Sequence, residues 1–140
     1  MLKNVRICLL FMVIGVLGIS CHKTTFPSDI NSILIGIYHQ PTVWHLSSYS
    51  VNGSSQPLTT LQKSFSKTYS SNGSFKNSDG YGGTWTATQS SLQLQESYTN
   101  FGAGGTSSQS YTVTIADGNN ITLQYTSNGN QISTTYIAGY

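Results

Sequence analysis

The chain reads as an all-β protein: an antiparallel meander of about eight strands rolled into a barrel, led by a short N-terminal helix. Three observations carry this. From Thr42 onward the texture is Ser, Thr, Asn, Gln, Tyr and Gly with almost no charge, a composition suited to antiparallel sheet. Apolar residues alternate with polar ones: Leu92, Leu94 and Tyr98 with Gln93, Gln95 and Ser97; Tyr111, Val113 and Ile115 with Thr112 and Thr114; and again at Ile121, Leu123 and Tyr125. Such alternation describes strands with one buried and one wet face. Finally, Asn52-Gly53, Asn72-Gly73, Asp79-Gly80, Asp117-Gly118 and Asn128-Gly129 punctuate the chain at short intervals, each suited to a tight hairpin.

At the N-terminus, Lys3 and Arg6 precede an apolar core from Ile7 to Leu17, too short to span a bilayer, and the small residues Gly18 to Ser20 lead to Cys21. The run Leu17-Gly18-Ile19-Ser20-Cys21 resembles the lipobox of bacterial lipoproteins. That resemblance implies a signal peptide over residues 1–20 and an acylated Cys21 holding the mature chain to a membrane. An ordinary signal peptide cut near Gly18 or Ser20 is the competing reading, with a transmembrane anchor behind it. In that family the residue after the cysteine sorts the protein. His22 stands here rather than the aspartate of inner-membrane retention, which points to the outer membrane, at its periplasmic face or the cell surface.

The formal charge of +2 belongs to the leader, because Lys3 and Arg6 leave with it. Lys23, Lys63, Lys67 and Lys76 then balance Asp29, Asp79, Glu96 and Asp117, and no basic stripe remains for a phosphate backbone, so nucleic acid is not an expected partner. Cys8 lies in the leader and Cys21 carries lipid, leaving no disulfide. The mature chain of about 120 residues is enough for one domain that buries roughly two-thirds of its unfolded surface.

Residues 21–28 form a tether. Ile30, Ile33, Leu34, Ile37 and Tyr38 then fall on one helical face, predicting an amphipathic helix from about Asp29 to His39 with Ser28 as N-cap and Pro41 as its stop. This helix is placed to plug one end of the barrel. The strands are expected at Val43 to Val51, Thr59 to Ser70, Ser74 to Asn77, Gly83 to Gln89, Ser91 to Tyr98, Gln109 to Ala116, Asn120 to Thr126 and Gln131 to Ala138. In the second of these Leu58, Leu61, Phe65 and Tyr69 keep a helical rhythm, so the assignment rests on the surrounding Ser and Thr and on the Asn72-Gly73 turn.

A closed meander of this size can hold one small ligand. Val43-Trp44-His45-Leu46-Ser47-Ser48-Tyr49-Ser50-Val51-Asn52-Gly53, Ser70-Ser71-Asn72-Gly73-Ser74-Phe75 and Gly83-Thr84-Trp85 resemble the opening strand, polar hairpin and mid-barrel tryptophan of the lipocalin-like lipoproteins of Gram-negative bacteria. The resemblance covers residues 29–140 and implies a calycin-type barrel, without implying a particular ligand.

The candidate ligand-binding residues are Trp44, Trp85, Tyr98 and Glu96. Trp44 reads first as core, and Trp85, beside Gly82-Gly83-Thr84, as the better mouth residue. Tyr81, Tyr98, Tyr111, Tyr125 and Tyr136 offer rings for a rim and are equally good sheet formers. Glu96 shares a face with Leu92, Leu94 and Tyr98; it either lines the cavity mouth, with Lys63 or Lys67 as partner, or ends its strand in water. Residues Asn100 to Ser107 hold a glycine-rich loop, lid or plain linker.

No cofactor or metal is expected, since His22, His39 and His45 lack ligand spacing, and no acid–base pair points to an enzyme. Two functions remain. One is a membrane-anchored carrier of a small apolar or amphipathic ligand. The other is a non-enzymatic protein- or glycan-binding or structural module of the cell envelope with a filled barrel.

Overall fold

The structure is a computed structural model that describes residues 29–36, 42–101 and 105–139. The leader, Cys21, the tether, the helical extension over residues 37–39, Pro41 and the centre of the glycine-rich loop, residues 102–104, lie outside the described residues.

One helical turn and a half comes first, α1 (Ile30–Ile35). The Asp29 side chain caps it, accepting from the Asn31 and Ser32 N–H groups, so the cap is Asp29 rather than Ser28. Gly36 ends it at φ 72°, before Pro41 is reached; a side chain there would collide with Thr42. Ile30, Ile33 and Leu34 are buried, which turns the i, i+3, i+4 stripe toward the barrel.

Nine strands follow among the described residues: β1 (Val43–Val51), β2 (Ser54–Gln56), β3 (Ser66–Tyr69), β4 (Ser74–Asn77), β5 (Gly82–Thr88), β6 (Gln93–Phe101), β7 (Gly105–Ala116), β8 (Asn120–Ser127) and β9 (Asn130–Gly139). All pairings are antiparallel. Apart from β2, each strand neighbours the next, and β9 pairs back onto β1 from Val43↔Gly139 to Val51↔Ile132. The result is the expected closed eight-stranded meander, with β2 as an additional short strand on the C-terminal half of β1.

The segment expected as one strand from Thr59 to Ser70 divides. A short helix, α2 (Thr60–Ser64), precedes β3, and the helical rhythm of Leu58, Leu61 and Phe65 prevails over the Ser/Thr surroundings. A reciprocal cap explains it: the Thr59 hydroxyl accepts from the Gln62 N–H while the Gln62 side chain accepts from the Thr59 N–H. Leu58 and Phe65 pack against the core, leaving Leu61 outside.

The turns also differ in kind. Asn52-Gly53 and Asn128-Gly129 have positive φ at both residues, as primed hairpins require. At Asn72-Gly73 and Asp79-Gly80 only the glycine does, and Asp117-Gly118 has neither. There the Asp117 carboxylate instead gathers the Asn119 and Asn120 N–H groups. Leu92 does not continue the inward face of β6: it sits in the preceding turn at φ 52°, with its side chain exposed.

The inward rows are Trp44 and Leu46, Lys67 and Tyr69, Phe75, Trp85, Leu94 and Glu96, Tyr111 and Val113, Ile121 and Leu123, and Ile132, Thr134 and Tyr136, all buried. An eight-stranded barrel has a bore just wide enough for such side chains.

Candidate functional site

Strand alternation puts a carboxylate in that bore. Leu94, Glu96 and Tyr98 share the inner face of β6, and Glu96 pairs in register with Trp85 of β5 and Gln109 of β7, so its side chain points to the barrel centre with no exposed surface. The same period puts Phe65, Lys67 and Tyr69 on one side of the chain entering β3. Lys67, 3% exposed, reaches across the bore from β3, separated from β6 by β4 and β5.

The two meet as an ion pair. Lys67 Nζ donates to Glu96 Oε1 at 2.9 Å and Oε2 at 2.8 Å. Three phenols complete the carboxylate: Tyr69 donates to Oε1 at 2.5 Å, and Tyr98 and Tyr111 to Oε2 at 2.7 and 3.1 Å. The ammonium also lies over two rings, 5.0 Å from the centroid of Tyr111 and 5.7 Å from that of Tyr136. Among the described residues no buried side-chain nitrogen or oxygen lacks a hydrogen-bond partner. A buried charge pair is tolerable only under that condition.

The electrostatics follow. Burial pushes Glu96 toward protonation, but the Lys67 charge and the hydrogen bonds from Lys67, Tyr69 and Tyr98 outweigh it and hold the carboxyl below its ordinary value. Burial likewise works against the Lys67 ammonium; the electrostatic influence of Tyr136, Glu96 and Tyr98 and the hydrogen bond to Glu96 outweigh it and raise the amine. Burial, reinforced by Glu96, raises Tyr69 and Tyr111 well above the normal phenol range and pushes Tyr98 up to about 12.

Of the residues singled out from sequence, Glu96 and Tyr98 are brought into direct contact. Glu96 is neither at a strand end in water nor beside Lys63, which is exposed on α2. Trp44 is fully buried and donates from Nε1 to the Leu34 carbonyl at 2.9 Å, tying α1 over the barrel end. Ile30 N–H secures the same helix through the Gln89 side chain at 2.8 Å. Trp85 packs edge-on against Tyr69 with centroids 5.4 Å apart and donates to the Ser70 carbonyl; it also lines a shallow groove of about 290 Å³ between α1, the β3–β4 hairpin and β5.

The five tyrosines offered as rim rings separate: Tyr111 and Tyr136 are core, Tyr98 and Tyr125 are half-buried, and Tyr81 is exposed. Tyr69 was not singled out from sequence; the signal for it was its place at period two from Lys67. His45 faces outward across Gly139, where a methyl group would lie 2.5 Å from the imidazole. Among the described residues no group of three His, Cys, Asp or Glu side chains could hold a metal ion.

These features define a closed antiparallel meander barrel whose centre is an ion pair ringed by tyrosine hydroxyls. No family model, curated protein or solved structure matches the chain.

Proposed function

We propose that the protein is a non-enzymatic binding module of the cell envelope, a lipoprotein anchored through Cys21, that works from the outside of a side-chain-filled barrel. The observation that supports this reading is the saturation of Glu96. Its oxygens already accept from Lys67, Tyr69, Tyr98 and Tyr111, and these groups occupy the bore at its middle level. A guest at that level would have to open the ion pair and leave a buried charge unpaired. A carrier of the kind the lipocalin-like resemblance suggests would need such an opening to seat its ligand beside Glu96.

Native mass spectrometry of the protein purified from its own host tests the reading. The expected spectrum is that of the protein alone, with no displaceable hydrophobic dye bound. A stoichiometric apolar molecule released on unfolding would favour the carrier instead. The anchor is tested separately: radiolabelled fatty acid is expected to enter the protein and to be lost from Cys21→Ser.

A further inference from the structure

Three adjacent strands expose one chemistry. With Trp85, Glu96 and Tyr111 turned inward, the intervening residues of β5, β6 and β7 turn outward and stand side by side in register: Thr84, Ser97 and Ser108; Thr86, Gln95 and Ser110; Thr88, Gln93 and Thr112. Eight of the nine are exposed and Ser97 is half-buried. The pleat spaces them about 4.8 Å across strands and about 6.8 Å along them. Among these nine side chains a single mutual hydrogen bond is formed, Gln93 Nε2 to Thr112 Oγ1 at 3.2 Å, so most of their donors and acceptors point to solvent.

The face is also indented. One groove of about 250 Å³ is lined by Thr86, Thr88, Gln93, Gln95 and Ser110, and another of about 310 Å³ by Ser97, Tyr98, Thr106 and Ser108. Thr86 borders the first and also the groove beside α1, which Asn31, Ile35, Ser71 and the edge of the inward-turned Trp85 line.

We infer that this face binds a neutral, hydroxyl-rich polysaccharide, laid across the three strands over the two grooves. The inference rests on the outer-surface reading above and names its partner. None of the nine side chains is ionisable, so the face offers nothing to a nucleic acid, an acidic polymer or a divalent cation. None is a large apolar residue, which leaves no anchor for a conventional protein interface. Serine, threonine and glutamine each offer both donor and acceptor, as sugar hydroxyls do. Each solvent-exposed contact is weak, so a polymer that engages many sites or many anchored copies is the ligand that can be held.

Affinity electrophoresis of the full mature protein tests this, in native gels containing dextran, galactomannan or laminarin, with alginate as the anionic counterpart. Retardation is expected in at least one neutral gel, insensitive to added salt. It should fall about tenfold in Thr86→Val/Gln95→Leu and persist in Ser50→Val/Ser133→Val, which alters similar chemistry on β1 and β9. Both double variants are to be checked for unchanged thermal unfolding. No retardation in any neutral gel, retardation only in alginate, retention equal in the two double variants, or capture by a protein alone would overturn the inference. Native mass spectrometry of the same sample reports on the filled-barrel reading independently, since a guest inside the bore would contradict that reading whatever the gels give.

Discussion

Lys67 and Glu96 lie 29 positions apart in sequence and face each other across the bore at 2.8 Å, with β4 and β5 between their strands. Removing one charge strands the other where it is buried. Glu96→Gln is therefore expected to cost about 3 to 5 kcal/mol of stability. Adding Lys67→Met to Glu96→Gln should recover part of that loss, because the unpaired ammonium is gone. Urea denaturation at neutral pH measures both; a Glu96→Gln cost below about 1 kcal/mol would mean that the bore admits enough water to solvate the ammonium.

The pH profile has two falling limbs. Glu96 is held below 4.5, so its contribution is present above that pH and is lost as pH falls through the lower folded value. Lys67 is held above 10.5, so its contribution is complete below that value and is lost at higher pH, in step with the buried tyrosines, whose raised values penalise folding once the unfolded phenols ionise near 10.0. Thermal melting should give a plateau between about pH 5 and 9. A midpoint that climbs steadily through that range would contradict the pairing.

At Gly83, β5 runs close against β6. A methyl group there would stand 1.9 Å from the Ser97 carbonyl oxygen, backbone that cannot swing aside. Gly83→Ala is expected to destabilise by about 1 to 3 kcal/mol through overpacking. Gly53→Ala, where the added carbon meets nothing within 4 Å, would cost only its left-handed φ and serves as the comparison in parallel denaturant titrations.

The helical plug should be separable from the barrel. Asp29→Ala removes the cap that holds the first turn of α1 and is expected to cost about 1 kcal/mol. Trp44→Phe removes the bond to Leu34 and should cost a similar amount, about 1 kcal/mol, besides any loss of packing. Hydrogen exchange should rise over residues 30–36 in both variants and stay unchanged in β8; equal rises in both elements would show that plug and barrel open together.

The period-two pattern from Thr42 onward was enough to foresee the closed meander, since most inward rows follow from alternation and each connection is too short for a crossover; the row Tyr111, Val113, Ile115 breaks at a bulge after Val113, which leaves Ile115 exposed. Its boundaries at Val43, Val51, Ser74 and Asn77 are those observed. The helix α2 was legible in principle, because Thr59 and Gln62 have capping-box spacing, but neutral Thr and Ser carry strand and cap signals at once. Leu92 was misplaced for a related reason: alternation describes side chains only within the strand, and the left-handed backbone just before Gln93 breaks the count.

The central cluster was half visible. Glu96 could be placed on an apolar face, and Lys67 was one of two possible partners. Which lysine, and which three phenols, depend on how far the barrel turns between β3 and β6, a property of the closed sheet that no local pattern encodes.

The seam between β1 and β9 joins residues almost a whole domain apart, from Val43 to Gly139. A nascent or truncated chain ending before Asn130 would present the first strand with a long naked edge, open to pairing with any other chain. Closure must await β9, the last strand of the sheet in chain order, which favours slow, non-local assembly. The C-terminal strand is thus the zip fastener of the molecule, and quality control that checks that one join inspects the entire fold.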